Sequence, residues 1–177
     1  SMLKKLASKG YLKYTAYKPV ELTASGKKEA LLVIRKHRLT EMFLVEKMGF
    51  GWEEVHEVAE QIEHIHSPKF FNKMDEMLDH PTVDPHGSPI PDRTGKIHLK
   101  NYRTLDSFDS GDKIMIVAVT NSGDDFLKYL NSKNLNLGSQ LEIIEIEKYD
   151  NSMNIRHDDQ TVVLSAKAAE KILVEKI

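Results

Sequence analysis

The sequence predicts an α+β chain in three parts. These are a short helix and hairpin of the kind that closes a winged helix, an all-helical segment, and a small β-barrel. Three observations carry this. Apolar residues recur at helical spacing between Thr23 and Leu78; a proline-rich stretch interrupts them over 80–91; and beyond Lys96 apolar residues alternate or run in short blocks, as strands do. With 177 residues the chain is long enough for one large domain or two small ones, each able to bury a core.

The elements follow in order. Met2-Leu3-Lys4-Lys5-Leu6-Ala7 reads as the end of an amphipathic helix that stops near Gly10, where a glycine can take up the left-handed C-cap. Tyr11–Thr15 and Pro19–Leu22 read as two short strands around a turn. Helix, hairpin, next helix is how a winged helix-turn-helix ends, and Lys4, Lys5, Tyr14 and Lys18 would then be phosphate contacts. Thr23-Ala24-Ser25 supplies an N-cap for a long helix over about 25–47, with Leu31, Ile34, Leu39, Met42, Phe43 and Val45 on a broad apolar stripe. Gly49-Phe50-Gly51 breaks it. Trp52-Glu53-Glu54 starts a second helix running to about 66, and Ser67-Pro68 ends that one and opens a third, to Leu78. On the third helix Phe70, Phe71, Met74, Met77 and Leu78 read as a packing face for core or dimer contact. The segment from His80 to Pro91 holds four prolines and neither period, which makes it a stiff, extended loop.

Beyond it, Lys113–Val119 and Gln140–Glu147 read as strands flanking a short helix over 124–132. Asn154–Arg156 and Thr161–Leu164 are strands around His157-Asp158-Asp159, and 165–177 holds a small helix and one more strand. Five or so short strands suit a small barrel.

Composition narrows the function. There is no cysteine, so neither a disulfide framework nor a thiolate metal site can form. No apolar run approaches the roughly 20 residues of a membrane span. The net charge of −2 hides an asymmetry: residues 1–38 hold ten Lys/Arg against two Asp/Glu, whereas 41–92 hold three against twelve. A basic segment joined to an acidic, histidine-bearing one suits a polyanion-facing part coupled to a cation-binding part, although two plain solvated surfaces would read the same way.

The acidic part centres on His56-Glu-Val-Ala-Glu-Gln-Ile-Glu-His-Ile-His66, in which six of eleven side chains can bind a metal. On one helix His56, Glu60, Glu63 and His64 form a single stripe, and like charges so spaced repel unless a cation sits among them. His37 and Glu41, one turn apart on the preceding helix, could ligate one ion together, and Asp84 and His86 can point the same way in the loop. Carboxylate oxygens with imidazoles and no thiolate suit Mn²⁺ or Fe²⁺, with Zn²⁺, Co²⁺ or Ni²⁺ as surrogates. An enzymatic reading is weak. His56-Glu57-x-x-Glu60 misses the zincin pattern, because Glu60 stands where the second histidine belongs, and no nucleophile elbow or phosphate loop occurs.

Arg35-Lys36-His37-Arg38-Leu39-Thr40-Glu41, Glu53 through His64, and His80-Pro81 through Asp84-Pro85-His86-Gly87-Ser88-Pro89-Ile90-Pro91 resemble the diphtheria-toxin-repressor and manganese-transport-regulator family. The likeness is dense over 20–92 and looser over 96–177, where it rests on that family's SH3-like, FeoA-type domain. It implies a winged-helix remnant over 1–24, a helical dimerisation and metal-binding domain over 25–92, a linker over 93–100 and an SH3-like domain over 101–177. It implies a cytoplasmic homodimer with no membrane association, which binds operator DNA when loaded with Mn²⁺ or Fe²⁺ and represses metal-uptake genes. Glu60, Glu63 and His64 match the primary metal site, and Glu60 is the manganese-type residue. His37, Glu41 and His56 match ancillary positions, Asp84 and His86 further ancillary ligands, and Asp125 a ligand from the SH3-like domain.

The family opens with a complete winged helix that carries one primary-site ligand, whereas this sequence starts near the end of a recognition helix. The expectation is a fragment that dimerises and binds metal, fills the ancillary site in preference to the primary one, and binds operator poorly. The alternatives are a metal-binding dimerisation module without a DNA role, or a metallohydrolase.

Overall fold

The computed structural model describes residues 1–15, 17–120 and 123–177. The chain divides into two compact units. The first comprises 1–49, 57–84 and 89–99; the second comprises 50–56, 85–88 and 100–177.

In the first unit α1 (Met2–Ser8) leads into a hairpin of β1 (Leu12–Lys13) and β2 (Glu21–Leu22), paired antiparallel. Each strand is two residues long, shorter than the sequence suggested. α2 (Ala24–Met48) begins where Thr23 Oγ1 accepts the Gly26 N–H at 3.0 Å, and ends at Gly49, whose φ of 76° gives the left-handed cap. Gly26 is required for another reason as well. A Cβ there would lie 2.0 Å from the Tyr11 carbonyl oxygen, so only glycine lets the hairpin approach the helix.

The second predicted helix is much shorter than its pattern. α3 is His56–Ile62, not 52–66. Upstream, Glu54 folds back so that its carboxylate accepts the Gly51 N–H at 2.9 Å, which makes a turn of 51–54. Downstream, Pro68 disfavours helix at Ser67, and the Lys36 ammonium donates to the carbonyls of Glu63 and Ile65, each at 3.2 Å. Those carbonyls are thereby satisfied without a further helical turn. Glu63 and His64 consequently lie beyond the helix, and the four-residue stripe with His56 and Glu60 does not form.

α4 (Pro68–Met77) has Ser67 as its N-cap and buries Phe71, Met74 and Leu78 against Leu39 and Ile90. These three stand at i, i+3 and i+7. Phe70 and Met77, also expected on the packing face, are exposed by 42% and 50%, because they lie about 100° round the helix from it.

The second unit is an antiparallel sheet of six strands in the order β3-β8-β4-β5-β6-β7. They are β3 (Arg103–Thr104), β4 (Lys113–Val119), β5 (Gln140–Ile146), β6 (Met153–His157), β7 (Gln160–Leu164) and β8 (Ile172–Lys176), with α5 (Asp124–Ser132) and α6 (Ala166–Ala169) between them. β3 was not foreseen, since two residues cannot show an alternation. Inward residues of the strands, including Ile114, Ile116, Leu141, Ile143, Ile155 and Val174, pack with Leu127 and Leu130 of α5 into one core. Each such burial contributes about 1.5–3 kcal/mol.

Candidate metal centre

In the first unit the candidate centre is built from α2 outward. His37 and Glu41 are one helical turn apart, and His37 Nε2 lies 3.0 Å from Glu41 Oε1. The other ring nitrogen, Nδ1, lies 2.7 Å from Glu63 Oε2. The ring is thus held between two carboxylates. The Glu41 hydrogen bond and charge, reinforced by those of Glu63, raise the His37 pKa above its ordinary 6.5 although burial opposes them. Glu41 and Asp84 are nearly inaccessible, 2% and 3% exposed, and each offers a carboxylate oxygen within 4.8 Å of the other. Arg38 Nε stands 3.4 Å from Asp84 Oδ2, and its Nη1 donates to the Pro89 carbonyl. Burying charges this closely is costly unless each is paired.

A second network holds the same loop in place. Buried Asp75 takes Arg35 at 2.9 Å, His80 at 3.0 Å and Arg93 at 3.1 Å, while Arg35 Nη1 donates to the Pro91 carbonyl. Burial pushes the Asp75 carboxyl up, but the hydrogen bonds from His80 and Arg93 and the Arg35 charge outweigh it and hold the pKa below the usual range. Arg35 and Arg38, one turn apart, therefore pin two carbonyls of the proline-rich loop to α2. That anchorage positions Asp84.

In the second unit His86 is 3% exposed. Its Nε2 donates to the Trp52 carbonyl at 2.8 Å, and its ring stacks on the Trp52 indole with centroids 6.0 Å apart. In a neutral imidazole so bonded, Nδ1 is the nitrogen with the lone pair. The segment is stitched to β4, since the Val119 N–H donates to the His86 carbonyl and a Cβ on Gly87 would meet the Val117 carbonyl oxygen at 2.3 Å. Trp52 is itself fixed by its Nε1, which donates to Asn131 Oδ1 at 2.7 Å.

Of the residues the sequence singled out, the first unit brings together His37, Glu41, Glu63 and Asp84. Glu63 was expected with Glu60 and His64; its carboxylate instead engages His37. Among the described residues, Glu60, Glu63 and His64 do not gather one donor atom each within metal-holding reach of one another. Glu60 and His64 are exposed, as is His56 at the start of α3. Asp125 is exposed in the first turn of α5. Lys4, Lys5, Tyr14 and Lys18 are all exposed on α1 and the hairpin. The Asp75 network was not anticipated; the sequence signal for it was a lone acid, Asp75, inside the apolar stripe of α4.

Comparison with known proteins bears on the same stretches. Residues 23–92 match the family model described as iron dependent repressor, metal binding and dimerisation domain, and 103–176 match the FeoA domain. The iron-dependent repressor IdeR of Mycobacterium leprae is 42% identical over 82 residues, 46% of this chain. The chain spans about a third, 36%, of that relative's length. A probable metal transport system membrane protein of Chlamydia trachomatis is 40% identical over 75 residues, 42% of this chain and 17% of that one. A solved structure of a manganese-dependent transcriptional repressor in complex with manganese superposes with a TM-score of 0.86 at 33% identity, covering 99% of this chain and 82% of that one. The chain belongs to the diphtheria-toxin-repressor and manganese-transport-regulator family.

Proposed function

We propose that this protein is a metal-dependent transcriptional repressor, cytoplasmic and homodimeric, which binds operator DNA when loaded with Mn²⁺ or Fe²⁺ and controls metal-uptake genes. The observation that carries the reading is His37 held between Glu41 and Glu63, with Asp84 beside Glu41. Three carboxylates converge on one imidazole and one guanidinium. That is an excess of negative charge of the kind a divalent cation neutralises. Oxygen donors with imidazole, and no thiolate, favour Mn²⁺ or Fe²⁺ by donor chemistry.

By the family likeness, His37, Glu41 and Asp84 of the first unit would hold the ancillary ion, while Glu60, His64 and Glu63, whose carboxylate engages His37 here, would serve the primary one; His56, His86 and Asp125 are the candidate ligands that the second unit carries. A bound cation supplies positive charge that both buried carboxylates can share. The chain's own residues do the rest. Arg35 and Arg38 fix the loop that carries Asp84, the Trp52 carbonyl sets the tautomer of His86, and His37 gives up a proton as it changes partner. The exposed apolar side chains Phe70 and Met77 of α4 would lie in the dimer contact, and Lys4, Lys5, Tyr14 and Lys18 would meet phosphates. No described helix is long and apolar enough to cross a membrane.

The test is calorimetric titration of this chain with Mn²⁺, paired with an operator-shift assay, with and without the ion, on a chain that carries the family's complete winged helix. Binding lost in Glu41→Ala, with operator affinity no longer responsive to Mn²⁺, is the expected outcome. Unchanged titration in that variant refutes the assignment. A second reading, a metal-binding module without a DNA role, draws support from the Chlamydia relative, whose name places the matching segment within a transport protein. Metal binding without any operator shift, in a chain that carries the family's complete winged helix, would favour it. A peptidase or esterase assay with added Mn²⁺ or Zn²⁺ addresses the hydrolase reading, which has no nucleophile-elbow or zincin pattern behind it.

A further inference from the structure

The sheet of the second unit ends on β3 at one side and β7 at the other. Natural sheets blunt their edges with short strands, charges, prolines or bulges. β3 is blunted: it has two residues, one of them Arg103. β7 is not. Gln160-Thr161-Val162-Val163-Leu164 carries no charge, proline or glycine, and it pairs with β6 without a bulge. The two-residue turn at Asp158–Asp159 makes His157↔Gln160 a hydrogen-bonded pair, and Ile155↔Val162 and Met153↔Leu164 with it. The N–H and C=O groups of Thr161 and Val163 therefore point away from β6, and among the described residues none of them has a backbone partner. Val163 also leaves 52% of its surface exposed.

We propose that β7 is the docking edge for β7 of a second copy of this chain, paired antiparallel about Val162. In that register Thr161 of each strand meets Val163 of the other, closing four N–H···O=C bonds, and Val162 faces its own mate across the two-fold axis. Charge selects the same arrangement. The acidic turn Asp158–Asp159 precedes β7 and the exposed Lys167 follows it, so antiparallel strands set each acidic turn toward the other copy's lysine. Parallel strands would set acid against acid. β7 belongs to the second unit and shares no residue with α4 or with the His37, Glu41, Glu63 and Asp84 cluster of the first, so the proposal stands or falls independently of the functional reading.

The chain has no cysteine, so one introduced thiol reports only on its own mate. In the full chain under mild oxidation, Val162→Cys is expected to form a disulfide-linked dimer. Its two Cα atoms would lie about 4.5 Å apart, within disulfide reach. Val163→Cys, although the more exposed thiol, is offset from its mate and should link at least about tenfold more slowly, since Cα atoms beyond roughly 7 Å are not bridged. Adding Val163→Pro, which removes an outward N–H but no ladder bond, should abolish the Val162→Cys link. Independently of any thiol, Val163→Lys should remove the largest species seen by sedimentation velocity. Equal linking rates at the two positions, linking that survives the proline, or sedimentation unchanged by the lysine would each overturn the proposal.

Discussion

Both ring nitrogens of His37 face carboxylate oxygens, and a carboxylate can only accept, so the imidazolium is the form that satisfies both contacts. The raised pKa follows from that geometry. Its contribution to stability is therefore full below the ordinary value of 6.5 and is lost as pH rises through the folded value. A cation competing for the same groups has the opposite dependence. Mn²⁺ affinity is expected to fall as pH drops through the His37 titration, with about one proton released per ion bound above background, as calorimetry in buffers of differing ionisation enthalpy would read. Asp75 behaves in the reverse sense. Its carboxyl is held down, so the stability it contributes is present above its unfolded pKa and is lost as pH falls through the folded value. Asp75→Ala leaves Arg35, itself 8% exposed, without its counter-charge. A cost of about 3–5 kcal/mol in urea unfolding is expected, because removing one partner of a buried pair strands the other.

At the scale of elements, α2 carries most of the argument. Its cap, its glycine contact with the hairpin and its turn of Arg35, His37, Arg38 and Glu41 sit on one helix. Thr23→Ala removes the side-chain acceptor for the Gly26 N–H and should cost about 1 kcal/mol. Gly26→Ala should cost more, because the new Cβ would displace the Tyr11 carbonyl and so lever the hairpin off the helix. Thr23 Oγ1 also donates to the Gly10 carbonyl at 2.7 Å, so hydrogen exchange at Leu12 and Leu22 should rise in both variants and more in the glycine one. The short α3 also has an element-scale cause. Lys36 takes up the carbonyls that a longer helix would have paired, so Lys36→Met leaves two acceptors to solvent and loosens 63–65.

For the whole molecule, a cation that binds only the folded chain stabilises it by mass action, about 2.7 kcal/mol at a hundredfold excess over Kd. Thermal melts with increasing Mn²⁺ should therefore rise in midpoint. The rise should vanish in Glu41→Ala and persist in Val163→Lys, whose change lies on the β7 edge of the other unit. A melt that rises equally in all three would place the ion elsewhere.

The sequence by itself determined the order of helices and strands, the proline-rich loop, the family and the acidic, histidine-bearing character of residues 41–92. These are set by local rules: apolar period, caps, and prolines that forbid helix. It also put His37 and Glu41 on one face, since a spacing of four on a long helix is enough. What it could not determine was where that helical rule stops. Read as one helix, 52–66 aligned Glu63 and His64 with Glu60, but a lysine from α2 and a turn at Gly51 end α3 at both sides. Tertiary structure then decided that Glu63 belongs to His37, and that Asp84 stands beside Glu41 because two arginines hold its loop. Contacts between residues 26 to 56 positions apart leave no period in a sequence. They are fixed by which charges can be buried together, and packing alone settles that.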